Sequence, residues 1–524
     1  MYTRAHLQLI SVRVMKKKIV IILGILLSFI SCQKGFEQIK DLEVIEPQVK
    51  DNIYAISSDQ AMTNLLEFLK SDSSQTKSND IRVIGSITPI SYNKIATKSG
   101  ITDLECETLL YIANFENNQG YAILAGDTRI GEPIVAITDE GYLSDAIVYT
   151  AVELATQERT YYEGYPLDGP GFYTTPETGD EVFMNPNTVI LYDETVMDTL
   201  VGNFRIDDEN PEVLTTRLCV SYALNEVAGY SSRGSTIGGG DDDNLPNDDP
   251  EQNPPFDNTP HGPQPLKPWT ETIISPWSTT QLHEPILALY MNWHQDRPFN
   301  NLYPLRKNKG SGEDEVERTP APAGCFPLAI AKILAHYEID EKYNDKTINW
   351  EELKKDFNST LGAESAENLL RDISKGCLCW YFAEGTFTFP GNALLYMRNH
   401  GLPNAHNNEY SFEGVTGMID NDKPLIIYSV PGKDVASSHS WNIDGYKIKQ
   451  RSITTTTYQG SNVLESSTEI ETISMVHCDF GWGGKCNGYY VSNVFKLDDP
   501  AAELDSIRYN VSTYYDNYIH IITY

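Results

Sequence analysis

The chain has 524 residues, too many for one hydrophobic core at roughly 150 residues per domain. With 40% hydrophobic and 22% charged residues it has the balance of a globular rather than a disordered protein. A net charge of -33 argues against nucleic acid as a partner, because phosphate binding needs clustered Lys and Arg, and reads instead as a solvated acidic surface.

Lys16, Lys17 and Lys18 precede an apolar run, Ile19 to Ile30, that closes on Ser31-Cys32. A basic start, a short apolar run and a small residue at the exit describe an export signal, too short to span a bilayer comfortably. Met15 is the expected initiator. A cysteine directly after the small residue resembles a bacterial lipoprotein site, in which Cys32 is lipidated and attaches the protein to a membrane. The alternative is a plain secretory signal with Cys32 incidental, and Phe29 departs from the usual pre-cysteine pattern. Either way residues 1–32 form the signal and the protein is expected to be exported, as an outer-membrane or cell-surface lipoprotein or as a secreted protein.

Residues 45–230 form a first unit. Ala61, Leu65, Leu66, Phe68 and Leu69 recur at helical spacing over Ser58 to Leu69. Strands are expected at Leu109-Asn114 and Tyr121-Ala125, joined by a hairpin at Phe115-Gly120, and again at Val135-Ile137. Residues 231–268, rich in Gly, Pro, Asp and Asn, cannot bury enough surface to offset their ordering entropy and read as a linker open to proteases.

The second unit, 269–524, begins mostly helical and ends mostly in strands, an α+β architecture. Cys325 to Tyr337 is apolar almost all round, which predicts a buried helix, and another helix is expected near Ala366-Ser374. Strands are expected at Leu425-Ser429, Ser440-Tyr446, Ile453-Tyr458, Thr472-Asp479 and Gly488-Ser492.

Pro327 fits only the first turn of a helix, so Cys325 must sit at or beside the N-cap, where orphan N–H groups and the helix dipole favour a thiolate. A small buried hydrophobe is the plainer reading of a cysteine there. A thiolate needs a base. His336 lies eleven residues further along the same helix, about 16 Å away at 1.5 Å per residue, and is excluded. His439 opens an alternating strand from which its ring can project into a cleft, and His477, at the start of another, is the reserve candidate. Asp479 is placed to orient an imidazole, and Gln295 to donate a side-chain N–H to an oxyanion. The order Gln, Cys, His, Asx is that of papain-like enzymes.

Gly481 to Gly484 lacks the Lys-Ser/Thr of a phosphate loop, and Cys377-x-Cys379 and Cys478-x7-Cys486 miss the spacing of a structural zinc site. No metal or cofactor is expected. Six further cysteines, Cys106, Cys219, Cys377, Cys379, Cys478 and Cys486, leave any disulfide pairing open.

Five segments together resemble the streptopain family of cysteine peptidases: Trp293 to Asn300, Ala323 to Tyr337, Ser438 to Tyr446, Val476 to Tyr490 and, upstream, Leu110 to Arg129, which looks like the family's inhibitory propeptide. The resemblance implies a papain-like fold held inactive by its own N-terminal unit, with protein or peptide substrates. Carried over, Cys325 attacks the peptide carbonyl, His439 shuttles the proton, Gln295 and the Cys325 backbone N–H hold the oxyanion, Asp479 takes the Asx position and Trp482 shields the site. The sequence departs from the family in having Asp479 where Asn is usual and Phe480 where Trp is usual. Cys478 and Cys486 flank the glycine turn, and Gln450 to Ser474 reads as an inserted Thr-rich hairpin. The competing class is a binding or adhesion protein on an inactive peptidase fold.

Overall fold

Apolar runs around residues 110, 123 and 136 are continuous rather than alternating, the pattern of strands covered on both faces. The computed structural model describes residues 54–73, 82–91, 108–156, 171–174, 181–184, 210–234, 267–287, 291–307, 318–381, 385–429, 439–495 and 519–524, all within one unit, Asn52–Tyr524. The export signal with Cys32, Cys106 and residues 235–266 of the linker lie outside them.

Among the described residues twelve strands form one sheet: β1 (Ile84–Ser91), β2 (Thr108–Phe115), β3 (Tyr121–Ala125), β4 (Ile134–Thr138), β5 (Trp269–Ile274), β6 (Ser278–His283), β7 (His406–Glu409), β8 (Leu425–Ser429), β9 (His439–Gln459), β10 (Asn462–Asp479), β11 (Gly488–Val491) and β12 (Ile519–Thr523). The main path runs β1-β2-β3-β4-β11-β10-β9-β8-β12-β7, and every pairing is antiparallel. The free edge of β9 beyond β8 is covered first by β6 and then by β5. Its far end, with β10, makes the expected Thr-rich hairpin. There Thr454 and Thr468 share a cross-strand hydrogen bond of 3.0 Å, and Trp269 of β5 stacks on Tyr458 at 4.4 Å.

The first and second units meet within this sheet. Thr138, Ile137 and Ala136 of β4 pair with Gly488, Tyr489 and Tyr490 of β11. The approach is close: a Cβ at Gly488 would lie 2.4 Å from the Ile137 carbonyl oxygen, so a larger residue would part the strands. One apolar core crosses the seam, from Ile123 and Val135 into Met475 and Tyr490. Burying each such side chain contributes roughly 1.5–3 kcal/mol, so the first unit is held by packing as well as by backbone pairing.

The longer helices packed about the sheet are α1 (Ser58–Ser73), α2 (Asp145–Thr156), α3 (Pro211–Gly234), α4 (Cys325–Tyr337), α5 (Thr360–Gly376), α6 (Pro390–Asn399) and α7 (Phe412–Ile419). Helix α3 continues into the stretch expected to be linker, ending at Gly234 rather than before residue 231. Helix α4 is buried from Phe326 to Ala335, as its all-round apolar sequence requires, and packs into a second core with Trp293, Phe299, Leu369 and Met397. The Asn442 side chain donates to the Ala329 carbonyl at 3.2 Å, which ties β9 to the first turns of α4. Helices beside an antiparallel sheet make the α+β fold that the sequence implies.

Candidate active site

Cys325 is the first residue of α4. Gly324 before it has φ 92°, a conformation that L side chains rarely adopt, and a Cβ there would press on Thr386 at 3.0 Å. The turn therefore puts the thiol at the helix N-terminus with no side-chain cap competing for its N–H groups.

Three further segments converge on this end of α4. Gln295 is bonded to the turn twice: its Oε1 accepts from the Gly324 N–H at 3.0 Å, and its carbonyl accepts from the Ala323 N–H at 2.8 Å. With Oε1 engaged, the amide NH₂ is the half of the side chain left to donate, one residue from the nucleophile position. His439 opens β9. The next residue, Ser440, lies beside the Cys325 thiol, and its hydroxyl has no other partner of ordinary hydrogen-bond length. The turn after β10 supplies Phe480 and Trp482. The His439 ring stacks on Trp482 at 4.5 Å and 15°, with Trp441 and Phe480 further along the same aromatic column. Trp482 thus covers one face of the imidazole, and stacking fixes the plane of the ring.

His439 Nε2 lies 3.3 Å from the Phe480 carbonyl oxygen. That contact makes Nε2 the protonated nitrogen and leaves Nδ1 with the lone pair. Asp479 does not reach the ring. Its Oδ2 accepts from Lys332 Nζ of α4 at 2.6 Å and its Oδ1 from the Gly481 N–H at 3.1 Å, with both side chains of the ion pair buried. Lys332 gave no sequence signal: it stands in an apolar helix, where one cation reads as an edge residue rather than a buried partner.

Burial pushes the Cys325 thiol above its usual range, against the opposing pull of Ser440, and lowers the imidazole of His439 to about 4, opposed only by the Phe480 carbonyl. Thiol and imidazole are both neutral in this form, and no hydrogen bond joins them among the described residues. The centre is assembled but not charged.

The reserve histidine has a different setting. His477 Nδ1 is 2.6 Å from Asp444 Oδ1 and Nε2 is 3.0 Å from Asp139 Oδ2, which belongs to the first unit. Burial alone would lower its pKa, but the Asp444 charge and the hydrogen bonds that the ring donates to both carboxylates outweigh burial and push it up to about 10. It is therefore a cation bridging two units. Beside it the Asp139 N–H donates to the Asn487 carbonyl at 2.8 Å, and the Asn487 side chain accepts from the Phe480 N–H at 3.0 Å. The seam is thus two hydrogen bonds from the turn that carries the His439 contact.

Cys219, Cys325, Cys377, Cys379, Cys478 and Cys486 are free thiols, so no disulfide clamps the glycine turn. Among the described residues no group of three or more His, Cys, Asp or Glu is placed to hold a metal ion.

Residues 293–490 match the sequence profile of the peptidase C10 family, and residues 54–155 match that of the Spi protease inhibitor. A search of curated proteins finds no match to the chain. The first match spans every candidate catalytic residue, and the second covers β1 to β4 and Asp139, which directly follows β4.

Proposed function

From a chain that belongs to the peptidase C10, or streptopain, family and carries a protease-inhibitor region ahead of its peptidase region, we propose an exported cysteine endopeptidase made as a zymogen. The observation that carries this reading is that one helix N-terminus brings together Cys325 and the Gly324-bound Gln295 amide, with Ser440, the neighbour of the stacked, Nε2-bonded His439, beside the thiol.

In the reading we propose, release of the first unit admits water and relieves the burial that keeps the pair neutral. The Cys325 proton passes to His439 Nδ1, and the helix N-terminus favours the resulting thiolate. The thiolate forms a bond to the substrate carbonyl carbon, and the carbonyl π pair moves onto oxygen. The Gln295 amide and the Cys325 backbone N–H donate to that oxyanion. As the oxyanion collapses the C–N bond breaks, and the leaving amine takes the proton from His439. Water, deprotonated by His439, then attacks the thioester carbon and expels the Cys325 thiolate, which returns the enzyme. Trp482 holds the ring in plane throughout. Substrates are proteins or peptides, and the inhibitory region acts in cis until the 231–268 linker is cut. The run Lys16 to Ile30 with Ser31-Cys32 supports export, and lipidation of Cys32 would anchor the enzyme to a membrane.

The test is incubation of purified residues 33–524, wild type beside Cys325→Ala, followed by mass spectrometry over time. Wild type alone should be cut within 231–268, then cleave casein and react with a thiol-directed peptidase inhibitor at Cys325. If a wild type trimmed by an added protease does neither, the chain is a binding protein on a peptidase fold. Cys32→Ser should move the protein from the membrane fraction to the soluble one, and no change would remove the lipid anchor from the reading.

A further inference from the structure

The buried ion pair behind the nucleophile has no part in the chemistry just described. Lys332 lies seven residues after Cys325, two turns along nearly the same face of α4. Its Nζ lies 2.6 Å from Asp479 Oδ2, and the two side chains are 1% and 3% exposed. A lysine so placed in an apolar helix loses all its hydration, a cost sustained only where the charge has a partner.

The second oxygen of Asp479 gives the pair its direction. Asp479 Oδ1 accepts from the Gly481 N–H, and the carbonyl of that same peptide unit, Phe480 C=O, accepts from His439 Nε2. In a planar trans peptide the N–H and C=O point to opposite sides, so a carboxylate that grips the N–H aims the oxygen away from itself. The order is Lys332 Nζ, Asp479 carboxylate, Phe480–Gly481 peptide, His439 ring. The His439 N–H donates to the peptide carbonyl and the peptide N–H donates to Asp479, so these two links are polarised in one sense and strengthen each other, while Lys332 donates to the carboxylate from the opposite side and anchors it. Gly481 itself takes φ 76° here, and a Cβ on it would meet Leu328 Cδ2 of α4 at 2.9 Å, so the peptide is also confined from the helix side.

We propose that Lys332 is a positioning residue of the catalytic centre, acting through Asp479 and the Phe480–Gly481 peptide to set the tautomer and orientation of His439. The inference rests on His439 being the base. Asp479 reaches the imidazole through one peptide unit, and its charge is matched by Lys332 instead of the ring. The relay needs a group that grips the Gly481 N–H and is itself held from α4. It does not need that group to be charged.

The test compares Lys332→Gln, Asp479→Asn and the double variant in the 33–524 chain. Each is matured by a trace of tagged wild-type enzyme that is then removed, and active sites are counted by a thiol-directed inhibitor. Each single variant leaves one buried charge unmatched and the peptide loosely held. We expect kcat per titrated site to fall on the order of 10- to 100-fold with KM within about twofold, as for other groups that orient a reacting side chain. In the double variant the amide introduced at position 479 can accept from the Gly481 N–H and donate to the amide introduced at position 332. There kcat should recover to within about fivefold of wild type, because both ends of the relay are neutral and bonded. A merely structural role would change the number of titrated sites, not kcat per site, and would show no such rescue.

Wild-type kcat per site in both single variants, or a double variant that folds and loses as much as the singles combined, overturns the relay. Should the singles fail to fold, the double variant, which buries no lone charge, decides by its own kcat. If wild type itself shows neither peptidase activity nor labelling at Cys325, the failure belongs to the peptidase reading and is recognised as such before any variant is compared.

Discussion

His439 and His477 lie on neighbouring strands of one hairpin, both buried, and their pKa values are driven in opposite directions, to about 4 and about 10. At the candidate site the ring meets aromatic faces and one carbonyl, so burial decides and the imidazole stays neutral. At the seam the ring meets two carboxylates, which overturn burial and keep it charged. A buried histidine is therefore not one kind of object: its role follows from which acceptors surround it. Here a neutral ring keeps a lone pair free to take a proton, and a charged one is a clasp between two units.

The largest effect should come at the thiol that heads α4. Cys325→Ala is expected to lower kcat roughly a thousandfold or more while leaving the melting temperature of the full chain unchanged. Next is the clasp. His477→Gln removes the cation between Asp444 and Asp139 and leaves a buried carboxylate unmatched, a loss of about 3 kcal/mol in the unfolding of the Cys325→Ala full chain by urea. A loss below about 1 kcal/mol would show that apolar packing and backbone pairing hold the seam without the ionic bridge.

A third prediction concerns Gln295→Ala. If its amide donates to the oxyanion as proposed, the substitution should cost about a hundredfold in kcat with the fold intact. Unchanged kcat would mean that the Gly324-bound amide is structural.

A pH series sharpens the contrast itself. The His477 pKa is raised from 6.5 to about 10, so its contribution is fully present below pH 6.5 and declines as pH rises through about 10. The His439 pKa is lowered from 6.5 to about 4, so its contribution is present above pH 6.5 and is lost as pH falls through about 4. From these two groups the zymogen should be most stable near pH 6.5, and His477→Gln should flatten only the alkaline side. Loss of the acid side instead would reverse the assignment. Asp139→Asn should have the smallest effect, about 1 kcal/mol, because that carboxylate is 48% exposed and screened by solvent.

Local elements were legible where pattern and burial agree. The helix Cys325–Tyr337 and the strands Tyr121–Ala125 and Leu425–Ser429 have the bounds that their apolar runs predict. The runs Ser440-Tyr446 and Ile453-Tyr458, by contrast, are parts of one strand, His439–Gln459. Lys447 and Lys449 between them look like a polar break. Lys449 is instead buried, donating to the Phe68 carbonyl in α1 at 2.6 Å, and Lys447 sits over the Tyr489 ring at 3.6 Å. The polar, exposed strands Trp269–Ile274 and Ser278–His283 carry no such pattern, and exist because β9 has an edge to cover.

The sequence by itself determined what depends on neighbours in the chain: the buried helix with a cysteine at its head, the histidine at a strand start, the glycine turn with its tryptophan, and the α+β class. Tertiary structure alone decided what depends on partners distant in sequence. Asp479 turns to Lys332 rather than to His439, His477 becomes a charged bridge to Asp139, and the first unit enters the sheet of the second through β4 and β11. The physical reason is that periodicity reports which face of an element is buried. The charge state of a buried group is set by what lies opposite it, and that is fixed only when the elements pack.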